Sequence, residues 1–475
     1  MPPCLMESQE AAAVRQILMA RMVLLSLWAM GGAVAFQQTV VPLLPNVPFL
    51  MVWNTPTQAC KTKYGVDLDL SQFDISLNQN ESFMGDNITI FYDNKLGRYP
   101  FYTPQGVPVN GGVPQNASLS EHLRYTWADI ERYIPHFTYS GLAVVDWESW
   151  RPLWVQNWDA KQVYKEASRA LVRQKHPNWT TLQVESEAQR EFQKAGRAFM
   201  EDTLKLGHKL RPGGRWGFYG MPNCFNQYSN TSVNYTGKCA EVHMRRNDEL
   251  GWLWKASSAL YPSIYLGSGL RGKGDAVRLY VQNTVLEAMR CSGQVTPISP
   301  SVLPYASIVY NSLEFLSQEN LVYTIGESAA LGAVGIVFWG SGQYAASQAS
   351  CTKLKTYLQG VLGMYLLNVS TAAELCSKWR CNANGRCLRK TPSNNAYLHL
   401  NPASFTILQK GNVLTFKGAL SKGDREFYNM KFGCQCYSGY KGESCTLKTE
   451  TGSSPDLRTT MNSLLFSISL LWLLL

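Results

Sequence analysis

A parallel β/α barrel of the TIM type, with seven or eight strands and a small disulfide-rich module after it, is the architecture this 475-residue sequence predicts. Three observations carry that expectation. Short apolar runs bounded by turn residues recur over about 300 residues. Helical stretches separate them, as a βα repeat requires. Polar or aromatic residues close most of the runs, which is where the mouth of a barrel gathers its functional groups.

The strand-like runs are Phe49–Asn54, Asn87–Tyr92, Leu142–Glu148, Arg215–Gly220, Tyr261–Leu266, Tyr305–Tyr310 and Gly335–Gly340. Most lack apolar/polar alternation, which predicts burial on both faces. Between them, Asp159 is placed to cap a helix whose Val163, Ala167 and Ala170 share a face. Ala188, Phe192, Ala195 and Phe199 form a second stripe ending near Pro212, and Asn247 to Leu260 reads as a third helix. An open doubly wound sheet would share this pattern. The residues at the run ends favour the barrel: Asn54, Tyr92, Asp146 with Glu148, Tyr219, Tyr265, Tyr310 and Trp339 come from many different strands.

From Cys376 the texture changes. Cys376, Cys381 and Cys387 are followed, after a long insertion, by Cys434-Gln-Cys436 with Gly439, Gly442 and Cys445. The ending C-x-C-x-x-G-Y-x-G-x-x-C is that of an EGF-like module. Zinc is a poor alternative in a secreted chain without suitably placed histidines. The expected division is a signal peptide at 1–35, a catalytic barrel at 36–370, the EGF-like module at 371–450 and a removable tail at 453–475.

Both ends carry addresses. Arg15 and Arg21 flank a short apolar run, Met22 to Met30, and Ala33-Val34-Ala35 fits a secretory cleavage site. At the other end, Gly452, Ser453 and Ser454 precede a polar spacer and a closing apolar run, Leu464 to Leu475. That layout predicts a glycosylphosphatidylinositol (GPI) anchor, since a spanning helix would need roughly 20 apolar residues. Sequons at Asn80, Asn87, Asn116, Asn178, Asn230, Asn234 and Asn368 agree with an extracellular, cell-surface location. Of the twelve cysteines, Cys4 lies in the leader, so the odd number left leaves at least one without a partner in the chain.

The segment Gly141-Leu-Ala-Val-Val-Asp146-Trp-Glu148-Ser-Trp150-Arg151 is the most informative. Positions i and i+2 on a strand point the same way, so Asp146 and Glu148 are neighbours on one face. The apolar run before them predicts poor solvation, and two close carboxylates there raise the pKa of at least one. A carboxylic acid still protonated near neutral pH is what general acid catalysis requires. Calcium binding, a loop cap or an ion pair with Arg151 are the competing readings.

Aromatic residues suit a cleft for sugars, whose apolar ring faces stack on such side chains. Trp339 and the strand-end tyrosines are the candidates, while Trp154 and Trp158 read as core. The six histidines show no metal-binding spacing. Gly267-Ser-Gly269-Leu-Arg-Gly272 matches a dinucleotide fingerprint, but no acidic residue follows at the required distance, and it reads as a loop. No metal or cofactor is therefore expected. The net charge of +10 suits a polyanionic ligand; nucleic acid is not expected for a chain addressed outside the cell.

The chain resembles the vertebrate hyaluronidases from about Pro45 to Cys445. The carriers are Asn87-Ile-Thr-Ile-Phe-Tyr92, Gly112-Gly-Val-Pro-Gln-Asn116, Gly141-Leu-Ala-Val-Val-Asp-Trp-Glu-Ser-Trp-Arg-Pro152, Trp216-Gly-Phe-Tyr219, Ala259-Leu-Tyr-Pro-Ser-Ile-Tyr265, Gly326-Glu-Ser-Ala-Ala-Leu-Gly332 and Asn401-Pro-Ala-Ser-Phe405. The resemblance implies an endo-acting hydrolase of hyaluronan, cutting the β-1,4 bond after N-acetylglucosamine; a monomer is expected. It implies Glu148 as acid/base and the substrate's own acetamido oxygen as nucleophile, an exception to the two-carboxylate scheme. Asp146 would hold that acetamido group, Tyr219 and Tyr265 would position the sugar, and Tyr92, Arg151 and Trp339 would line the cleft, with Asn54 beside them. It also implies disulfides Cys60–Cys351, Cys224–Cys239, Cys376–Cys387, Cys381–Cys434 and Cys436–Cys445, leaving Cys291 unpaired. Pro222-Asn-Cys-Phe225 departs from the family, which has Asp and Tyr there. A hyaluronan-binding adhesion protein with little turnover, and a hydrolase preferring chondroitin, are the alternative readings. Intact Asp146, Glu148, Tyr219 and Tyr265 argue against the first, and Tyr265 against the second.

Overall fold

Parallel pairing organises the chain. In the computed structural model, which describes residues 39–78, 82–229, 234–310, 314–411 and 413–449, the Ile88–Tyr92 strand pairs with Leu142–Asp146, and that strand pairs with Arg215–Phe218. Leu50–Asn54 pairs with both Gly335–Trp339 and the two-residue strand Ile75–Ser76. Gly335–Trp339 also pairs with Tyr305–Ala306, and Ala259–Leu260 with Ser301–Val302. Single parallel bridges, Tyr219 to Tyr261 and Ser263 to Tyr305, join these groups. Between Ile75–Ser76 and Ile88–Tyr92 the contact is made by side chains: Asn78 accepts from the Asn87 and Ile88 amides, and Asn87 donates to the Leu77 carbonyl at 2.8 Å. The leader, the tail, Asn80 and Asn230 lie outside the described residues.

Why the strands lack alternation is visible in their packing. Leu50, Val52, Ile88, Ile90, Leu142, Val144, Tyr261, Tyr305 and Val337 share one core. The residues between them face outward into two other cores: Met51, Trp53, Ile336 and Phe338 into one, Phe91, Ala143 and Val145 into the other. Both faces are apolar because both are covered. The period of two then fixes where each strand end points. Asn54, Tyr92, Asp146 and Trp339 have the inward parity.

The helices form the outer cover. Thr180 and Gln183 make a reciprocal capping box at the start of Thr181–Leu210, which buries Val184, Ala188, Phe192 and Phe199. Phe192 meets Trp150 and Trp154 edge-on at 5.9 and 5.7 Å between centroids. Three expectations need correction here. Asp159 caps nothing; it opens a short 3-10 turn with φ of 51°, and the following helix, Gln162–Lys175, centres its buried face on Tyr164, Ser168 and Val172, with Val163 and Ala167 of the predicted stripe packed beside it. The third helix is two, Glu241–Glu249 and Gly251–Ala256, and Ala259–Leu260 is strand. The run Tyr305–Tyr310 is strand only at Tyr305–Ala306, and Tyr310 is buried with its hydroxyl on Asn320.

Toward the C-terminus the Gly363–Arg380 helix passes through residue 371 and carries Cys376 to Cys387 on the Gly385–Arg389 strand. That strand pairs antiparallel with Phe432–Cys436, and Cys381–Cys434 and Cys436–Cys445 close the same region. Cys60–Cys351 and Cys224–Cys239 complete the pairs. Cys291 is buried and free, beside Glu287, and burial pushes its thiol pKa far up; it packs as a small apolar residue. Glu327, from the Gly326–Gly332 motif, is fully buried and pairs with Arg389 and Gln282. That motif thus joins the barrel-like part to the cysteine-rich part. Among the described residues no helix is long and apolar enough to cross a membrane.

Candidate active site

A cavity of about 240 Å³ opens at the C-terminal ends of the parallel strands. Its floor is Ile90 and Val144, inward residues of adjacent strands, and its walls are Asp146, Glu148, Tyr219, Tyr265, Tyr305 and Trp339. Asp146 ends its strand in register with Tyr92, and Glu148 follows two residues later with the same parity. Trp147, of opposite parity, turns outward and stacks on Tyr99 at 4.6 Å.

The two carboxyls sit in different surroundings. Glu148 is exposed, whereas Asp146 is half-buried with its Oδ1 enclosed and without a hydrogen-bond partner. Burial first, then the neighbouring Glu148 and then Asp93, push the Asp146 pKa up from 3.8 to about 7. The expectation of a raised carboxyl thus falls on Asp146.

The tyrosines form a connected wall. Tyr219 lies 6.2 Å from Tyr265 and 5.2 Å from Tyr305 between ring centroids, and Tyr265 stacks near Trp339 at 6.3 Å. The Tyr219 hydroxyl reaches Ser263 Oγ at 3.5 Å, and burial raises its pKa to about 12. Burial likewise raises the pKa of Tyr265 and Tyr305 well above the ordinary tyrosine value. All three are therefore neutral hydrogen-bond donors at working pH. The buried Tyr305 hydroxyl has no partner, an open valence facing the same interior.

Three predicted cleft residues stand elsewhere. Asn54 is fully buried with both side-chain polar atoms unpaired and does not line the cavity. Tyr92 is not in the lining of this cavity but hydrogen-bonds Trp339, which is. Arg151 does not line the cavity; its guanidinium packs against both the Trp158 and Phe225 rings, at 4.8 and 5.2 Å, and donates to the Gln156 carbonyl at 2.8 Å. Trp158 is thus a half-buried support for Arg151, while Trp154 is core as expected. Tyr305 escaped the sequence reading because it opens its run instead of closing it. Its inward parity relative to Val337, its register partner, is the signal that finds it.

A second cavity, of about 160 Å³, shares Glu148 and Tyr219 with the first and continues past Asn223, Asn226, Ser263 and Thr284. Asp146 and Glu148 are the only carboxylates lining either space among the described residues. No cluster among those residues could hold a metal ion.

Parallel strands that deliver a carboxylate pair into an aromatic-walled cleft define a glycoside hydrolase. The particular family is given by comparison: the hyaluronidase family model matches residues 38–449, and the chain belongs to that family. It is similar to hyaluronidase-1 of Homo sapiens, 48% identical over 86% of this chain and 94% of that one. It is also similar to a hyaluronidase of Crotalus adamanteus, 44% identical over 90% of this chain and 96% of the other. Among solved structures, bee venom hyaluronidase in complex with a hyaluronic acid tetramer superposes with a TM-score of 0.58 at 35% identity, covering 66% of this chain and 98% of that chain.

Proposed function

We propose that this protein is an endo-acting hydrolase of hyaluronan, cleaving the β-1,4 bond between N-acetylglucosamine and glucuronate by a substrate-assisted, retaining mechanism. The observation that carries the reading is the place of Glu148 at the junction of two cavities. A scissile oxygen there would have one sugar on each side, with Glu148 within reach to protonate it. The first cavity suits the N-acetylglucosamine: Trp339 offers a stacking face, and Tyr219 and Tyr265 offer neutral donors. Asp146, enclosed and unpaired at its Oδ1, suits the acetamido N–H and the charge that develops when the acetamido oxygen attacks C1. Among the described residues no other carboxylate lines either cavity, which disfavours an ordinary nucleophile-plus-acid arrangement. The net charge of +10 favours approach of a polyanion.

The test is a size assay of hyaluronan and of chondroitin with purified protein, from acid to neutral pH. Progressive shortening of hyaluronan is expected. Faster cutting of chondroitin would move the substrate assignment, and tight binding without shortening would favour an adhesion protein.

The remaining readings belong to the same proposal. The parallel pairings, returning through Asn78 to Ile88–Tyr92, support a closed barrel. The three C-terminal disulfides support an EGF-like module within 371–450. Asn87, Asn116, Asn178 and Asn234 are exposed and Asn368 half-buried, which suits glycosylation outside the cell. For the tail, phosphatidylinositol-specific phospholipase C should release the protein from intact cells. Protein that resists the lipase and keeps Trp472 would have a spanning tail instead.

A further inference from the structure

We propose that Lys161 is a positioning residue for the acid, holding the main chain of Glu148 in place; this rests on the reading of Glu148 as proton donor. Lys161 ends the short turn Asp159–Lys161, and its ammonium donates to the Glu148 carbonyl and, at 3.2 Å, to the Ser149 carbonyl. It makes no ion pair with a carboxylate within 4.0 Å among the described residues, unlike Lys175 with Glu191 or Lys205 with Glu201. The side chain is half-buried, and burial lowers its pKa against the opposing pull of Glu148.

A lysine gives up hydration and considerable side-chain entropy to sit this way, and the two main-chain carbonyls are the hydrogen-bond acceptors that offset it. Those carbonyls belong to the segment where regular structure has ended: the strand stops at Asp146, and no helix begins before Trp154. The rest of that segment has other ties: the Trp150 indole donates to the Pro100 carbonyl at 2.8 Å and the Trp150 amide to the Tyr99 hydroxyl at 3.3 Å. Asn157 accepts from the Arg151 amide at 2.9 Å and donates to the Arg151 carbonyl at 2.9 Å and the Leu153 carbonyl at 3.1 Å. Glu148 lies upstream of these ties, and its exposed side chain is packed by nothing comparable. Lys161 is the clamp that reaches it. Because the clamp acts on the main chain, it fixes where the carboxyl stands without occupying the sugar's space, and it does not line either cavity.

A donor displaced by even an ångström can lose up to about 10²-fold in rate. Lys161→Met should therefore lower kcat on hyaluronan roughly 10- to 100-fold, with KM within about twofold of wild type and an unfolding midpoint little changed, since the freed carbonyls can hydrate. Lys161→Arg, which keeps charge and donors, should recover most of the loss. If Lys161→Met does not fold, Lys161→Gln takes its place with the same criteria. A kcat within twofold of wild type, a loss confined to KM, or an arginine variant as slow as the methionine one would overturn the assignment. Wild-type protein that leaves hyaluronan uncut would instead remove the proposed function itself.

Discussion

Glu148→Gln is expected to bind hyaluronan and leave it uncut. The amide matches the carboxyl in size and sits where the side chain is exposed, so the fold has little reason to respond. What it cannot do is give a proton to the leaving oxygen at the junction of the two cavities. Loss of general acid catalysis typically costs about 10²–10⁴-fold, and in a mechanism where the same residue later activates water, both halves of the reaction suffer. Asp146, next on the same face, cannot replace it. Its carboxyl is enclosed between strand ends, on the side of the sugar where the acetamido group would lie. The measurement is turnover by polymer size together with affinity for hyaluronan oligosaccharides. Near-normal turnover by a folded Glu148→Gln protein would remove Glu148 from the chemistry.

The carboxylate pair was legible in the sequence because a strand's period of two and an apolar lead-in suffice to place it. The same parity put Trp339 and Tyr219 near it. Features that depend on packing were not legible. Ile75–Ser76 and Ser301–Val302 are two-residue strands, too short to leave a pattern. The buried stripe of Gln162–Lys175 uses Tyr164 and Ser168, residues whose polar groups hide an inward face until their partners are seen: the Tyr164 hydroxyl accepts from the Tyr102 amide, and Ser168 donates to the Tyr164 carbonyl. Arg151 has the sequence position of a cleft residue, but the rings of nearby Trp158 and of Phe225, from a distant segment, hold it to one side. Lys161 carried no signal at all, because its partners are carbonyls, which every residue has.

Asp146→Asn should separate the acetamido mechanism from a two-carboxylate one, and it should do so while making the protein more stable. The carboxyl is held at about 7 in the fold against 3.8 as its ordinary value, chiefly by burial. A group raised in this way favours the folded state fully only below its unfolded pKa, and that contribution is lost as pH rises from about 4 to about 7. At neutral pH the wild type therefore bears a penalty on the order of 3–4 kcal/mol before the site relaxes. The asparagine variant, which has nothing to ionise, should show a higher unfolding midpoint than wild type at pH 7, with the gap closing toward pH 4. Turnover should move the other way. The neutral amide cannot balance the positive charge of a cyclic oxazolinium intermediate, and losing such a preorganised group typically costs about 10²–10³-fold, while ground-state binding changes less. Hyaluronan stripped of its N-acetyl groups gives the complementary test: it should bind the wild-type enzyme yet resist cutting at the stripped units, because the nucleophile has left with the acetyl oxygen. Efficient cleavage of that polymer, or a covalent sugar ester trapped on Asp146 with a fluorinated substrate, would place the nucleophile on the protein and restore the two-carboxylate scheme.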